Sequence, residues 1–208
     1  ILMSGLVWVG IGFWAAMGIA QEPSGIQVKY REKWIHPGIQ FPGLPMLESG
    51  YMGWAVDIEG DTAVVSTPAG PLATGMVQVF QFENGMWVWK ATLRASDESP
   101  MNYFGSSVSI EGDTIAVGAN NSHTEKGDQA GAVYLFEKPA GGWRDITETA
   151  KLVADEVRAM DVFAYSIDLE NDTLVAGAPY TDIGGIENVG CVYVYTKPAA
   201  GWSADASY

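Results

Sequence analysis

The chain has 208 residues, of which 48% are hydrophobic and 17% charged, and this balance favours a globular fold with a buried core over a disordered acidic segment. Its 25 acidic and 11 basic residues give a formal net charge of −14. Nucleic acid and anionic membrane surfaces repel such a chain unless a basic patch intervenes. No cluster of Lys or Arg is visible in the sequence, so we expect no nucleic-acid partner.

The first twenty residues carry no charge and end in small residues at Gly18 and Ala20. Residues 1–20 therefore predict a cleaved signal peptide, with an uncleaved hydrophobic anchor as the alternative. Both interpretations place the rest of the chain outside the cytoplasm, secreted or at the cell surface, and only an uncleaved anchor would contact a membrane. Because the chain starts with Ile and lacks a positive stretch before this run, we expect the sequence to be truncated at its N terminus.

A five-residue phrase recurs along the rest of the chain. It occurs as IEGDT at 58–62 and 110–114 and as LENDT at 169–173. Its middle position is Gly, Gly and Asn, the residue types that adopt a left-handed backbone at least cost. Apolar, β-rich runs flank each copy, so the phrase predicts a tight hairpin turn. We expect the Asp that follows the middle position, Asp61, Asp113 or Asp172, to accept hydrogen bonds from turn amides.

A larger unit repeats around this phrase, because the three turn aspartates are 52 and 59 residues apart. After each hairpin a Gly opens an alternating aromatic strand, and a Trp follows twelve residues later. These pairs are Gly75 and Trp87, Gly131 and Trp143, and Gly190 and Trp202. Each unit thus predicts strand, turn, strand, variable loop, strand, short loop and a Trp-led fourth strand. The fixed place of the Trp residues favours packing between units over sugar stacking.

Four antiparallel strands per unit and no amphipathic helix predict an all-β fold, a β-propeller with about three blades present. The blades are assigned to 51–102, 103–161 and an incomplete 162–208, while 21–50 is an irregular segment or the closing strands of an incomplete blade. The second strands at 114–119 and 173–178 are apolar on both faces, as expected for sheets between two neighbours. A partial propeller leaves blade faces open, so we expect the isolated chain to self-associate.

Residues 51–208 resemble the FG-GAP repeat family, the module of the integrin alpha-subunit propeller and of many secreted bacterial proteins. The motifs that carry the resemblance are Phe104-Gly105 and Gly177-Ala178-Pro179. The first unit departs from them with Met52-Gly53, and the third has Phe163-Ala164. The resemblance implies a propeller of about seven blades used for protein interaction or adhesion, sometimes attached to an enzyme elsewhere in the chain.

Integrin-type repeats often hold calcium in an Asp-rich loop between the first two strands. Here that connection is Glu59-Gly60-Asp61 or its equivalent, which offers too few oxygen ligands for calcium. We therefore expect no metal site in these turns and a closer likeness to the metal-poor bacterial proteins. Asp and Asn residues in the longer loops offer scattered oxygens, but such loop residues are usually just solvated.

No catalytic constellation or cofactor motif is visible. Neither His36 nor His123 has a Ser or Cys placed beside it by a motif, and the single cysteine, Cys191, reads as a packing residue that can form no intrachain disulfide. Gly184-Gly185 lacks the Lys of a phosphate-binding loop. We therefore expect no enzyme activity and no cofactor.

Binding is expected on the loops between second and third strands, which vary in length on a rigid scaffold. The candidate residues there are Asn120, Asn121, His123, Asp128, Tyr180, Asp182 and Glu187. The blade-to-blade loops 95–102 and 154–161 should lie on the same face. The expected partner is an extracellular protein; the alternatives are a glycan-binding propeller and an accessory domain of a larger secreted enzyme. Exposed aromatic side chains beside carboxamides, for example at Tyr103 or Tyr180, would favour the glycan.

Overall fold

The repeated phrases form antiparallel sheets in the computed structural model, which describes residues 50–69 and 74–203. The predictions for 1–20, for nearly all of 21–50 and for the chain after 203 lie outside the described residues. No helix occurs in the described part. Its strands are β1 (Val56–Glu59), β2 (Thr62–Thr67), β3 (Met76–Glu83), β4 (Met86–Leu93), β5 (Phe104–Glu111), β6 (Thr114–Ala119), β7 (Ala132–Glu137), β8 (Ala150–Leu152), β9 (Ser166–Glu170), β10 (Thr173–Ala178) and β11 (Cys191–Thr196).

These strands form three sheets in which chain neighbours pair antiparallel. The orders are β1-β2-β3-β4 for blade 1, β5-β6-β7-β8 for blade 2 and β9-β10-β11 for blade 3. Successive antiparallel strands joined by short turns are the arrangement of propeller blades. The described residues thus form an all-β, partial β-propeller, as the sequence predicts.

The recurring phrase forms a two-residue hairpin turn in every blade. Its flanking residues pair directly, Glu59 with Thr62 in blade 1 and Glu111 with Thr114 in blade 2. The middle residue is left-handed each time, with φ of 53° at Gly60, 56° at Gly112 and 51° at Asn171. The prediction from residue type is therefore confirmed, since these φ values are what a tight hairpin connection requires.

The prediction for the turn aspartates is wrong at Asp113 and Asp172. The carboxylate of Asp113 lies 3.1 Å from Lys138 Nζ, and that of Asp172 lies 3.9 Å from Lys197 Nζ. The turn amides donate instead to a glutamate of the preceding blade. Gly112 N donates to Glu59, and in the next blade Asn171 N and Asp172 N donate to Glu111 at 2.5 and 3.1 Å. We call this contact of Glu59 or Glu111 with the next turn the glutamate latch.

A second hydrogen bond accompanies each latch, two residues earlier in the chain. Ile110 N donates to Asp57 Oδ2 at 2.8 Å, and Leu169 N donates to Ser109 Oγ at 3.1 Å. Side chains at these positions point towards the following blade because residues alternate between the two faces of a strand. The repeated phrase therefore makes a turn and also attaches that turn to its neighbour.

Two apolar cores lie between the blades. Phe104 and Trp143 are buried in the core between blades 1 and 2, and Phe163 and Trp202 in the core between blades 2 and 3. Every residue of β6 is buried, whereas burial alternates along β10. Blade 2 is thus covered on both faces and the described blade 3 on one. The predicted packing role holds for the two buried Trp residues.

The Gly before the aromatic strand of blades 1 and 2 lets the next blade approach. Gly131 has φ of 89°, and a Cβ added there would overlap the carbonyl oxygen of Phe163 in blade 3. Gly75 stands in the same relation to Phe104. A Cβ on Gly118 in blade 2 would overlap Ser107 Oγ of the same blade and lie 2.7 Å from Ala164 O of blade 3.

The predicted fourth strand of blade 2 is much shorter than its sequence suggests. The sequence predicts that Trp143 opens it, but β8 covers residues 150–152. The preceding residues contact blade 1 instead: Ile146 bridges Leu93, and Asp145 Oδ1 accepts from Thr92 N at 2.8 Å. Because the Asp145 side chain and the Ile146 backbone bond to blade 1, the residues around them do not pair with β7.

Candidate functional site

Loops gather at the end of the blades opposite the hairpin turns, and we call this the loop end. It holds the connections between second and third strands and those between blades. Asn121 Nδ2 donates to Met101 O at 2.5 Å, and Met160 N donates to Asp128 O at 2.9 Å. The two kinds of loop therefore bond to each other on one face, as the alternation of strand directions predicts.

The loop end contains a cavity of about 420 Å³, which we call the loop pocket. Loops of three consecutive blades line it. Tyr51, Tyr103 and Val162 hold the same place in blades 1, 2 and 3, and all three are left-handed, with φ of 54°, 54° and 57°. Such a conformation is uncommon for these residue types and is maintained by the surrounding structure. The pocket therefore lies where the ends of the three blades converge.

Aromatic rings are part of the lining of the loop pocket. Tyr51 and Trp54 meet edge to face, with ring centroids 6.1 Å apart at 68°. Their exposed fractions are 61% and 63%, and that of Tyr103 is 37%, although apolar rings of this size are ordinarily buried. Trp54 N donates to Tyr51 O at 3.1 Å, and Gly53 N donates to Ser66 O in β2 at 2.8 Å. The aromatic loop is thus fastened to blade 1.

Carboxamides belong to the lining of the loop pocket as well. Asn120 and Asn121 follow β6, and Gln129 lies in the same loop. Asn120 is placed by its backbone N, which donates to Ser106 Oγ at 3.1 Å, and Asn121 is fixed by its bond to Met101. The side-chain amides of Asn120 and Gln129 make no hydrogen bond within the described residues. They are available to a ligand as both donors and acceptors.

The sequence comparison agrees with this architecture. The FG-GAP repeat family matches residues 87–136 and 146–195. The chain contains FG-GAP repeats. Each match begins near or in the fourth strand of one blade and runs through the first three strands of the next. No curated protein matches the chain in sequence.

FG-GAP repeats are extracellular-type modules that often mediate protein interaction, and they typically occur in extracellular or surface proteins. The structure also relates the naming motif to the loop pocket. The residue directly before the FG position is Tyr51, Tyr103 or Val162, each of which lines the pocket. The Phe of the motif is buried between blades, at Phe104 and Phe163. One short segment therefore anchors the blade and presents a side chain at the loop end.

The other predicted site residues lie apart from the pocket. His123 Nδ1 is 3.0 Å from Asp128 Oδ1, with both side chains exposed. Tyr180 meets Tyr165 edge to face at 6.5 Å, and Asp182 Oδ1 accepts from Asn188 N at 2.8 Å. Glu187 is exposed in the same FG-GAP unit. Of the seven candidates, the structure brings Asn120 and Asn121 into the loop pocket.

Acidic residues surround a second cavity, of about 740 Å³, beside blade 3. Asp155, Asp161 and Asp182 line it together with Arg158 and Tyr193. Burial raises the pKa of Tyr193, and the nearby Cys191 raises it further. Among residues 50–69 and 74–203, no group of three His, Cys, Asp or Glu side chains could hold a metal ion. Nor does any helix long and apolar enough to cross a membrane occur in that part.

A titratable cluster joins blades 1 and 2 of the FG-GAP array. Tyr134 Oη donates to Asp97 Oδ1 at 2.9 Å, and Lys151 Nζ lies 2.6 Å from Asp97 Oδ2. Burial raises the pKa of Tyr134 to about 12. Burial opposes the charge on Asp97, but the hydrogen bond and charge of Lys151 hold its pKa below the usual value. The cluster is an inter-blade ion pair and contacts no cavity described above.

Sequence reasoning missed Tyr51, Trp54 and Gln129. The alignment of units could have indicated Tyr51, because it precedes the degenerate FG position as Tyr103 does in the next blade. No pattern in the sequence marks Trp54 or Gln129. Each becomes part of the pocket lining only because loops of different blades meet at the same end.

Proposed function

We propose that the chain is an exported, non-catalytic recognition module that binds an extracellular protein through its loop end. The main observation in support is the loop pocket, where loops of three blades meet around exposed aromatic rings and free carboxamides. Loops on a rigid scaffold are the usual place for binding residues, and exposed Tyr and Trp are enriched at protein interfaces.

The chemistry of the loop end supports binding rather than catalysis. Its histidine, His123, is paired with exposed Asp128, and no Ser or Cys hydrogen bonds to it in the described part of the chain. A His and an Asp without a nucleophile lack the third member that acyl transfer needs. The same module could serve as the targeting part of a larger secreted enzyme, and the binding experiment below applies equally to that case.

Binding to a panel of extracellular and cell-surface proteins tests the proposal. The unchanged chain is compared with Asn121→Arg, at the loop end, and with Met86→Arg, which alters an exposed side chain beside the hairpin between β3 and β4 at the opposite end. We expect at least one protein to bind, with loss of binding in Asn121→Arg and retention in Met86→Arg.

Equal loss in both variants, or no binding to any extracellular protein, would contradict the proposal. Hydrolysis of glycoside, ester or peptide substrates by the chain would contradict its non-catalytic part. Recovery of the chain in the soluble cytoplasmic fraction of its native host would contradict export.

A further inference from the structure

The loop pocket carries no charge on its lining, although the chain as a whole is strongly acidic. Its side chains are aromatic, aliphatic or neutral polar, and none of the described residues that line it is Asp, Glu, Lys, Arg or His. An ionic ligand would lose hydration on entering without gaining an opposite charge. The composition therefore favours an uncharged ligand.

The volume points to a small unit rather than a broad protein surface. A cavity of about 420 Å³ falls in the range of small-molecule pockets, roughly 300–1,000 Å³. Trp54, Asn120 and Gln129 all line this one cavity, so a ligand that fills it meets an indole ring and carboxamides together.

The aromatic rings and the carboxamides of the lining have complementary chemistry. The face of an indole ring is electron-rich and attracts the slightly positive C–H groups of a flat, saturated ring. Carboxamides offer one acceptor and two donor hydrogens, which suit hydroxyl groups that donate and accept. A neutral sugar ring has a C–H face, which can stack on an indole ring, and hydroxyl edges, which can hydrogen bond to carboxamides.

Contacts within the protein hold the aromatic turn, the Asn121 side chain and the Asn120 backbone in place before any ligand arrives. Tyr51 and Trp54 meet edge to face, and the turn that carries both is bonded to Ser66 of β2. Asn121 is held by Met101, and Asn120 by its backbone bond to Ser106. Preorganised side chains reduce the ordering cost of binding.

We infer that the loop pocket is a carbohydrate-binding site for a neutral sugar unit, stacked on Trp54 and hydrogen bonded by Asn120 and Gln129. The inference rests on the proposed function and names the part of the extracellular partner that enters the pocket, a neutral glycan.

The test uses the full 208-residue chain and the methyl glycosides of glucose, galactose, mannose and N-acetylglucosamine, together with their neutral oligosaccharides. Saturation-transfer NMR measures binding at millimolar sugar. We expect at least one neutral sugar to bind, and Trp54→Ala to weaken that binding by about tenfold or more, because it removes the stacking surface.

Two variants sharpen the assignment. Trp89→Ala removes another exposed Trp, on β4 and outside the pocket, and should leave the affinity unchanged. Asn120→Asp keeps the size of the side chain but replaces its donor by a charge, and should weaken binding several-fold. Circular dichroism of each variant checks that the blades remain folded.

No binding of any neutral sugar would overturn the inference, as would binding of glucuronic or sialic acid alone. Equal affinity of the Trp54→Ala and unchanged chains would place the sugar elsewhere and overturn it too. If a protein ligand depends on Asn121 while no sugar binds, the inference fails and the proposed function stands. If neither binds, both fail.

Discussion

At the residue scale, Gly131 is a position where only a glycine fits, because there is no space for a Cβ. It begins the aromatic strand of blade 2, and the carbonyl oxygen of Phe163 occupies the space that a Cβ would need. Its φ of 89° is also unfavourable for any other residue. Gly141 provides a matched comparison, because its φ is 95° and a Cβ added there would meet no atom within 4 Å.

We expect Gly131→Ala to lower the free energy of unfolding by about 2–5 kcal/mol, of which about 1–2 kcal/mol is backbone strain and the rest overpacking. Gly141→Ala should cost only the strain, about 1–2 kcal/mol. Denaturant titrations of both variants measure the difference. An equal loss of unfolding free energy in the two variants would show that blade 3 leaves room for a Cβ at Gly131.

Residue types predict the turn backbone but not the turn's partner. Gly60, Gly112 and Asn171 have a local requirement, a left-handed φ, which a sequence shows directly. The acceptor of the turn amides is a glutamate 53 to 61 residues earlier in the chain. Nothing local distinguishes Glu111 from an ordinary solvated acid, so reasoning from the sequence assigns the role to the adjacent Asp.

At the scale of elements, the glutamate latch connects one hairpin to the next. Glu111 accepts two amides of the blade 3 turn, whereas the side chain of Glu170, the same position in blade 3, is exposed and makes no hydrogen bond within the described residues. Comparing the two glutamates therefore separates the effect of the latch contact, present at Glu111 and absent at Glu170, from the effect of the side chain itself.

We expect Glu111→Ala to lower the free energy of unfolding by about 1 kcal/mol, because charge-assisted hydrogen bonds are lost at a partly exposed site. Glu170→Ala should change it by less than about 0.5 kcal/mol. Thermal and denaturant unfolding provide the measurement. A larger loss for Glu170→Ala than for Glu111→Ala would contradict the latch.

Strands are easier to predict than the contacts between them. Alternation and flanking turns predict β5, β6 and β7 correctly, because these strands follow their own sequence pattern. The fourth strand of blade 2 is shorter than predicted, since Asp145 and Ile146 bond to the previous blade. The sequence indicates the loop pocket at Asn120, Asn121 and Tyr103 but not at Tyr51 and Trp54, because those two side chains come from a different blade.

On the scale of the whole molecule, blade 3 presents an apolar face. Val192 and Val194 of β11 are 63% and 64% exposed and alternate with residues of the core. Blade 2 is covered on the corresponding side by blade 3 itself. Apolar sheet faces of this kind are typical association surfaces.

We expect the isolated 208-residue chain to self-associate through this face as its concentration rises. Replacing both valines, Val192→Lys with Val194→Lys, should shift the chain towards monomer in size-exclusion chromatography with light scattering. Ile186→Lys, at a loop residue that is 67% exposed, should have little effect. A monodisperse monomer at every concentration would contradict the expectation.

The match of FG-GAP repeats across blade boundaries has a consequence for how such chains change in evolution. One repeat carries the last strand of one sheet and the first three strands of the next. Duplication or deletion of one repeat therefore adds or removes one set of four strands and changes only the number of blades. The number of blades can then vary by unequal recombination without any intermediate that contains an incomplete sheet. Each added repeat also brings a new glutamate and a new hairpin turn, the two parts of a glutamate latch.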